Sequence, residues 1–315
     1  MLKSIKTRFR AYQLGCAGAS YSYFADGHFT LIEAMITELN EPRILEELEA
    51  CGKEHIDTLH ITSWDSDHCS ESGLKWIFEH LQPTRVEYPG YDHDTDCAKA
   101  SKKLILEYAA QRRVRAAKAQ RIDPPYIQSL EKMEGPGYSD LLYHPKELQE
   151  GSNDNSTIKF FRKGSFNVLS LGDVESPNIS SMIRRAKAVK RETDVLILAH
   201  HGADNGFTTK KFLEEVNPSL AVCTSNYDNH HDHPRQEIRD LLYELEIPIY
   251  TTKTGDIIIE STNSHKVDYQ VTNLKADSTQ VSSKRTFRAR KAKLLSMNAD
   301  TIRSVLHPGK RGPKR

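Results

Sequence analysis

Four short apolar runs in this chain each lead into an aspartate or a histidine, and this recurrence constrains the fold more than any other feature. The runs have the length of buried strands. The residues that follow them are Asp65, Asp67 and His68 after 56–61, Asp173 after 166–171, His200 and His201 after 195–199, and Asp232 and His233 after 220–223. We therefore predict that carboxylates and imidazoles converge at the ends of strands.

The stretch 62–68 has two interpretations. Asp65 and Asp67 offer carboxylate oxygens and His68 an imidazole nitrogen, a donor set that suits a divalent ion. An apolar pattern over 72–81 predicts an amphipathic helix directly afterwards. The alternative is therefore that Asp67 or Ser70 simply caps this helix. The three later positions favour the metal site, because a single histidine after a strand is common and four such positions in one chain are not.

Length and composition limit the class of protein. The 315 residues are enough for one large α/β domain with an appendage, and 37% hydrophobic and 28% charged residues are typical of a soluble protein. No run approaches the roughly 18 apolar residues of a membrane span, and the first eight residues have no signal core behind their charges. The five cysteines form no Cys-x-x-Cys pair, so neither a disulfide framework nor a zinc knuckle is predicted. We expect a cytoplasmic protein without membrane association.

Basic charge is concentrated in two segments. Residues 284–315 carry eleven lysines and arginines and one acidic residue. Residues 97–121 carry eight lysines and arginines and one acidic residue. Both segments contrast with an acidic remainder, which predicts local binding of an anion such as nucleic acid. For 97–121 we predict a basic helix that either faces nucleic acid or phosphate or is an ordinary solvated surface helix. The second interpretation is slightly favoured, because lysine and arginine are also good helix formers.

The remaining pattern predicts the architecture. Apolar alternation at 21–24 and 29–32 across Asp26-Gly27 predicts a hairpin. Helices are expected at 42–51, 180–190, 207–216 and 235–245. The sequence from 123 to 155 is typical of a loop. Together these elements predict an αββα sandwich: one α/β domain over 1–272 with an insertion at about 93–155, then a basic, partly disordered tail over 273–315.

The motif order Asp-x-Asp-His, Gly-Asp, His-His-Gly, His-Pro resembles the metallo-β-lactamase fold. More narrowly, it resembles the nuclease domain of the ComEC-type proteins of bacterial DNA uptake. The resemblance covers roughly residues 8–262. The chain departs from the family at Ser63, where the family has a metal-binding histidine, and at Glu33, where it usually has an aspartate.

The resemblance implies a site built around one or two divalent ions, zinc or manganese, with magnesium also possible. One metal site would have four ligands: Asp67, His68, Asp173 and one of His200 or His201. Asp173 would bridge to a second ion, for which Asp65 is the remaining ligand. Because Ser63 offers only a hydroxyl, that second site is rich in oxygen and favours manganese or magnesium over zinc. His233 would lie at the rim, binding phosphate or protonating the leaving oxygen.

The implied function is hydrolysis of phosphodiester bonds in nucleic acid, in which a hydroxide held between two ions attacks phosphorus. Asp67 and His233 are the catalytic candidates. One alternative is a small-molecule hydrolase or cyclic-nucleotide phosphodiesterase on the same fold. Another is a nucleic-acid-binding protein whose catalytic centre has decayed, as the presence of Ser63 in place of the family's metal-binding histidine would indicate.

Overall fold

The computed structural model describes residues 5–111, 115–131, 139–262 and 267–292. Its strands, in chain order, are β1 (Thr7–Ala11), β2 (Tyr21–Ala25), β3 (His28–Ile32), β4 (Thr58–His60), β5 (Arg85–Pro89), β6 (Lys118–Ile122), β7 (Leu141–His144), β8 (Ile158–Phe161), β9 (Val168–Ser170), β10 (Val195–Ile197), β11 (Leu220–Cys223), β12 (Ile249–Thr251), β13 (Ile257–Ser261), β14 (Asp268–Leu274) and β15 (Val281–Arg288). Its α-helices are α1 (Glu41–Cys51), α2 (Glu71–Trp76), α3 (Asp96–Ala110), α4 (Pro124–Glu131), α5 (Pro177–Arg185), α6 (Lys187–Glu192), α7 (Lys210–Val216) and α8 (Gln236–Glu244). A π-helical turn, Ile77–Leu81, continues α2.

The described strands form two sheets. The larger has the order β15-β14-β13-β1-β2-β3-β4-β5-β6, and the smaller has the order β12-β11-β10-β9-β8-β7. β1 pairs antiparallel with β13, with Arg8 opposite Glu260. Strands β3 to β6 run parallel to one another, as do β9 to β12 in the other sheet. Each sheet therefore has a run of parallel strands whose carboxyl ends share one edge.

The two sheets pack face to face with helices on both outer faces. The cluster between the sheets contains Phe9 and Tyr23 from the larger sheet and Phe161 and Val195 from the smaller. A second buried cluster joins the larger sheet to α1, α2 and α3, and a third joins the smaller sheet to α5, α7 and α8. This arrangement is the αββα sandwich that the sequence predicts.

The hairpin predicted across Asp26-Gly27 is confirmed. Ala25 pairs with His28, which leaves Asp26 and Gly27 as a two-residue turn. Both turn residues have positive φ, 52° and 74°. A turn of this kind matches the right-handed twist of the flanking strands and is favoured by Asp-Gly.

The segment 97–155 differs from the prediction. α3 ends at Ala110, so the basic helix predicted over 97–121 is too long, and residues 118–122 form β6, which pairs parallel with β5. The region predicted as loop, 123–155, contains α4 and β7. The sequence misleads here because β6 is an edge strand with three charged or amide side chains and no apolar run.

The basic residues of α3 are largely paired with acids. Lys102 lies 2.6 Å from Asp92, Lys99 lies 3.9 Å from Asp94, and Lys103 lies 3.8 Å from Glu107. These pairs support the solvated-helix alternative for this part of the basic segment more than a phosphate-facing surface.

The predicted start of the tail at residue 273 falls inside a strand. β14 continues to Leu274, and β15 pairs with it along Val281–Arg288, extending the larger sheet. Beyond β15, Arg290 donates to the carbonyl oxygens of Lys190 and Val216 at the ends of α6 and α7. Lys291 is buried and donates to the carbonyl of Gly164. The domain therefore extends at least to residue 292, and the rest of the predicted tail lies outside the described residues.

The helix predicted over 180–190 is divided into α5 and α6 by Ala186, whose backbone is extended.

Across the part of the chain that the structure covers, every helix is too short or too polar to cross a membrane.

A buried ion network joins α1 to the larger sheet. Asp256, which is fully buried, accepts from Arg10 at 2.8 Å and from Arg43 at 2.6 Å. Arg10 also donates to Glu46 at 3.1 Å. Both arginines are buried or nearly so, and removal of Asp256 would take away the buried negative charge that they share in a poorly solvated environment.

We therefore expect Asp256→Ala to lower the free energy of unfolding by about 3–5 kcal/mol. Urea denaturation measures this change. As a matched control, Glu71→Ala breaks an exposed ion pair with Lys75 and is expected to cost about 0.5 kcal/mol or less. Equal effects of the two substitutions would show that the buried network does not stabilise the fold.

Candidate metal centre

Side chains from both sheets meet where the carboxyl ends of their parallel strands share an edge. Residues after β4 supply Asp67 and His68, Asp173 follows β9, and His201 follows β10. Nε2 of His68 lies 2.9 Å from Oδ2 of Asp173, so the contact joins the larger sheet to the smaller one. The convergence predicted from the sequence is therefore a contact between two sheets.

Four of the predicted ligands form one compact cluster. Asp67, His68, Asp173 and His201 each offer a donor atom, and these atoms all lie within 4.8 Å of one another. Nε2 of His201 lies 3.2 Å from Asp67 and 3.9 Å from Asp173. His68 and Asp173 are buried, and Asp67 and His201 are partly exposed. The cluster is thus closed on one side and open on the other.

Glu33 and Thr62 orient the ring of His68. Glu33 is 1% exposed and accepts from Oγ1 of Thr62 at 2.6 Å and from its backbone N–H at 3.0 Å. Its other contact is with Nδ1 of His68, at 3.2 Å. A metal-binding histidine usually donates its second ring nitrogen to a carboxylate or carbonyl in this way, which fixes the ring and raises its basicity.

His201 is held in a similar manner. Its Nδ1 lies 3.1 Å from the carbonyl oxygen of Thr224, which follows β11. Both His200 and His201 have positive φ, 45° and 52°, a conformation that is strained for residues with a side chain and is often found at functional sites. The strained turn places the His201 ring, and not that of His200, against Asp67.

Two buried nitrogens test whether the cluster fits a metal. Nε2 of His68 and Nε2 of His201 are buried, and neither makes a hydrogen bond of acceptable geometry. Their opposite ring nitrogens contact Glu33 and Thr224. Both free nitrogens therefore lie among the carboxylates of Asp67 and Asp173, as ligands of a cation would. Two imidazoles and two carboxylates suit zinc or manganese.

The charges at the cluster lead to the same conclusion. Burial disfavours a charged His68, but Asp173 and Glu33 outweigh it and raise its pKa well above the usual value. Burial also opposes ionisation of Asp67, yet the adjacent His201 imidazole, 3.2 Å away, and the charge of His68 hold the pKa of Asp67 below its usual value. The carboxylates thus require positive charge at the centre, and protons on the imidazoles or a metal cation can supply it.

The predicted ligand Asp65 lies outside this cluster. Its Oδ2 accepts from Oγ of Ser63 at 2.5 Å, and its Oδ1 lies 3.6 Å from Nε2 of His93. Ser63 is fully buried and also contacts the hydroxyl of Tyr91 at 3.1 Å. Ser63 therefore orients Asp65, and the second, oxygen-rich site stays a prediction.

His200 and His233 lie beside the cluster. Nδ1 of His200 contacts Glu175 at 2.6 Å. His200 is not one of the four residues of the cluster. His233 lines a pocket of about 90 Å³ together with His200, His201 and Asp67. Burial and the neighbouring imidazoles lower the pKa of His233 to about 4, which favours the neutral ring at pH 7. A neutral His233 suits hydrogen bonding to phosphate better than proton donation.

Local sequence explains two details of the site. Ser70 does cap α2, accepting from the N–H of Gly73 at 3.0 Å, while Asp67 joins the cluster, so the two interpretations of 62–68 apply to different residues. Gly18 lies against the carbonyl of Asp67, and a Cβ there would approach that oxygen to 2.8 Å. A larger residue at position 18 would push the 15–19 loop away from Asp67.

Sequence reasoning missed the supporting residues. Glu33 was noted only as a departure from the family, although its place after β3 puts it at the shared sheet edge. Thr224 follows β11 in the same way. Tyr91 and Glu175 carry no signal in the sequence, because their contacts depend on how loops from different strands pack together.

Comparison with known proteins gives one relative by sequence. No family profile matches the chain. It is 23% identical over 224 residues to ComE operon protein 3 of Bacillus subtilis (strain 168). The matched region is 70% of this chain and 26% of that protein, so the chain spans only about a quarter of the relative's length.

Three solved structures are similar to this chain over about four fifths of its length. The metallo-beta-lactamase fold protein YhfI of Bacillus subtilis is 12% identical with a TM-score of 0.47, over 80% of this chain and 99% of that one. Igni18, a metallo hydrolase from Ignicoccus hospitalis, is 12% identical with a TM-score of 0.41, over 80% of this chain and 98% of that one. Tm1679, a metal-dependent hydrolase of the beta-lactamase superfamily, is 12% identical with a TM-score of 0.46, over 79% of this chain and 98% of that one. The chain is similar in fold to proteins of the metallo-β-lactamase fold and, in sequence, to ComE operon protein 3.

Proposed function

We propose that the protein is a metal-dependent phosphodiester hydrolase that acts on nucleic acid. The observation that carries this proposal is the cluster of Asp67, His68, Asp173 and His201, whose donor atoms lie within 4.8 Å of one another. The four candidate ligands lie together, and the residues that contact His68 and His201, Glu33 and Thr224, are buried. This completeness argues against the alternative of a decayed catalytic centre.

The residues of the chain have separate parts in this proposal. A bound divalent ion would act as a Lewis acid toward a phosphoryl oxygen and favour deprotonation of water. Asp67, His68, Asp173 and His201 would hold the ion, and Glu33 would keep His68 in the tautomer that leaves Nε2 free. His233, on the wall of the adjacent pocket, would bind the phosphate by a hydrogen bond.

Nucleic acid is proposed as the substrate on two grounds. The motifs resemble those of the ComEC-type nuclease domain, and the chain is similar to ComE operon protein 3. Hydrolysis of labelled DNA, labelled RNA and a cyclic dinucleotide, each with manganese, zinc and magnesium, tests the proposal. Cleavage of the cyclic dinucleotide alone would favour the small-molecule alternative, and no cleavage of any diester would refute the proposed function.

We expect Asp173→Asn to abolish metal binding and hydrolysis. The substitution keeps the shape of the side chain but removes one of the two negative charges that face both imidazoles. The loss should exceed the roughly 10–100-fold that removal of a supporting hydrogen bond costs at metal sites. Metal content by mass spectrometry and turnover of a chromogenic diester measure the two effects.

Asp240→Asn is the control for Asp173→Asn. Asp240 is exposed on α8 and accepts from Gln236. Its substitution should change neither metal content nor turnover. Full metal content and turnover in Asp173→Asn would exclude Asp173 as a ligand.

A second substitution tests the support of His68. Glu33→Gln keeps the volume of the side chain but places an amide where Thr62 and His68 both require an acceptor. We expect the affinity for the metal to fall by about 10–100-fold. Competition with a chelating dye measures this affinity without any need for turnover.

Glu192→Gln is the matched control for Glu33→Gln. Glu192 is also a buried carboxylate, paired with Arg162 at 2.8 Å, but it contacts Asn167 at the opposite end of β9 from Asp173. This substitution should lower stability and leave the metal affinity unchanged. If both variants weaken metal binding equally, the effect arises from general destabilisation.

A further inference from the structure

A tyrosine is exposed on the loop that forms one wall of the pocket. This loop connects β11 to α8, and its residues Asn226 and Asn229 line the pocket beside His233. Tyr227, between them at the tip of a turn, is 71% exposed. The large ring is therefore exposed to solvent on a loop that borders the candidate metal centre, and it contributes little to the core.

The backbone that carries Tyr227 is fixed to His233. Nδ2 of Asn229 donates to the carbonyl oxygen of Asn226 at 2.7 Å and to that of His233 at 3.2 Å. Oδ1 of Asn229 accepts from the backbone N–H of His233 at 2.6 Å. One asparagine side chain thus sets the position of the Tyr227 turn relative to the pocket.

Imidazole rings extend from the metal cluster toward the same rim. The rings of His201 and His233 have centroids 6.3 Å apart and an interplanar angle of 24°. The rings of His233 and His231 are 5.4 Å apart at 18°. His231 is exposed and lines the pocket. Nearly parallel ring faces therefore lead from a candidate ligand to the surface.

We propose that Tyr227 and His231 form a stacking platform for a nucleobase next to the phosphate bound in the pocket, so that the substrate is single-stranded nucleic acid. Flat aromatic faces bind bases of any sequence, and each stacked base typically changes affinity by roughly 5–150-fold. In a duplex, the faces of each base are covered by the neighbouring bases. In an unpaired strand the faces of the bases are accessible. The amide of Asn226, which also lines the pocket, can bond to the edge of a stacked base. This inference rests on the proposed function, because it names the substrate class of the same site.

Fluorescence anisotropy with the full-length protein tests the platform. The probes are a short phosphorothioate-linked single strand, which resists cleavage, its duplex, and a strand of abasic sites with the same linkages. The wild type should bind the single strand more tightly than either of the others. Tyr227→Ala should weaken binding of the single strand at least about fivefold, and Tyr227→Trp, which keeps an aromatic face, should retain it.

Tyr243→Ala is the matched control, since Tyr243 is also an exposed tyrosine (87%) but lies on α8 and not between the pocket-lining residues Asn226 and Asn229. Its affinity for the single strand should equal that of the wild type. The proposal is overturned if Tyr227→Ala binds like the wild type, if the abasic strand binds as tightly as the strand with bases, or if the single strand does not bind. Hydrolysis of a small chromogenic diester by the wild type tests the proposed function separately.

Discussion

The contact between His68 and Asp173 is the constraint on which the site depends. It joins a residue after β4 in the larger sheet to a residue after β9 in the smaller one. The contact forms only if both sheets pack in the observed register and their carboxyl ends face the same edge. The core between the sheets therefore determines the geometry of the donor atoms, although none of its residues is a ligand.

Burying so many charges is costly, and the fold offsets much of the cost by pairing buried groups with opposite charges. Removal of an ion from water costs several kcal/mol unless an opposite charge and hydrogen bonds replace the lost solvation. Asp256 has two arginines, and Glu87 has His60 and Lys159. At the metal centre the carboxylates face imidazoles whose Nε2 atoms make no hydrogen bond. Nε2 of His60 also makes no hydrogen bond, so the metal centre differs from these structural ion pairs in the convergence of its four donor atoms within 4.8 Å of one another.

Sequence patterns predicted the central elements of the fold and failed at its edges. Buried strands such as β10 are continuous apolar runs, so the residues after them could be placed at one sheet edge. β6 and β15 are exposed edge strands with polar side chains, and the pattern there indicated a helix and a tail. The choice between His200 and His201 depends on two consecutive positive φ angles, which no periodicity reveals. The partners of Asp65 were missed because Ser63 contacts it through a local turn and His93 from a different loop.

The pairing of β1 with β13 has a consequence for how the chain acquires its structure. Arg8 lies opposite Glu260, so a strand near the start of the chain is completed by one that is about 250 residues away. Closing so long a loop carries an entropic cost before any contact is gained, and contacts of this range slow folding. During synthesis, β1 has only β2 as a neighbour until β13 leaves the ribosome. In that interval the β1 edge that later meets β13 is an unpaired strand edge, open to association with other nascent chains.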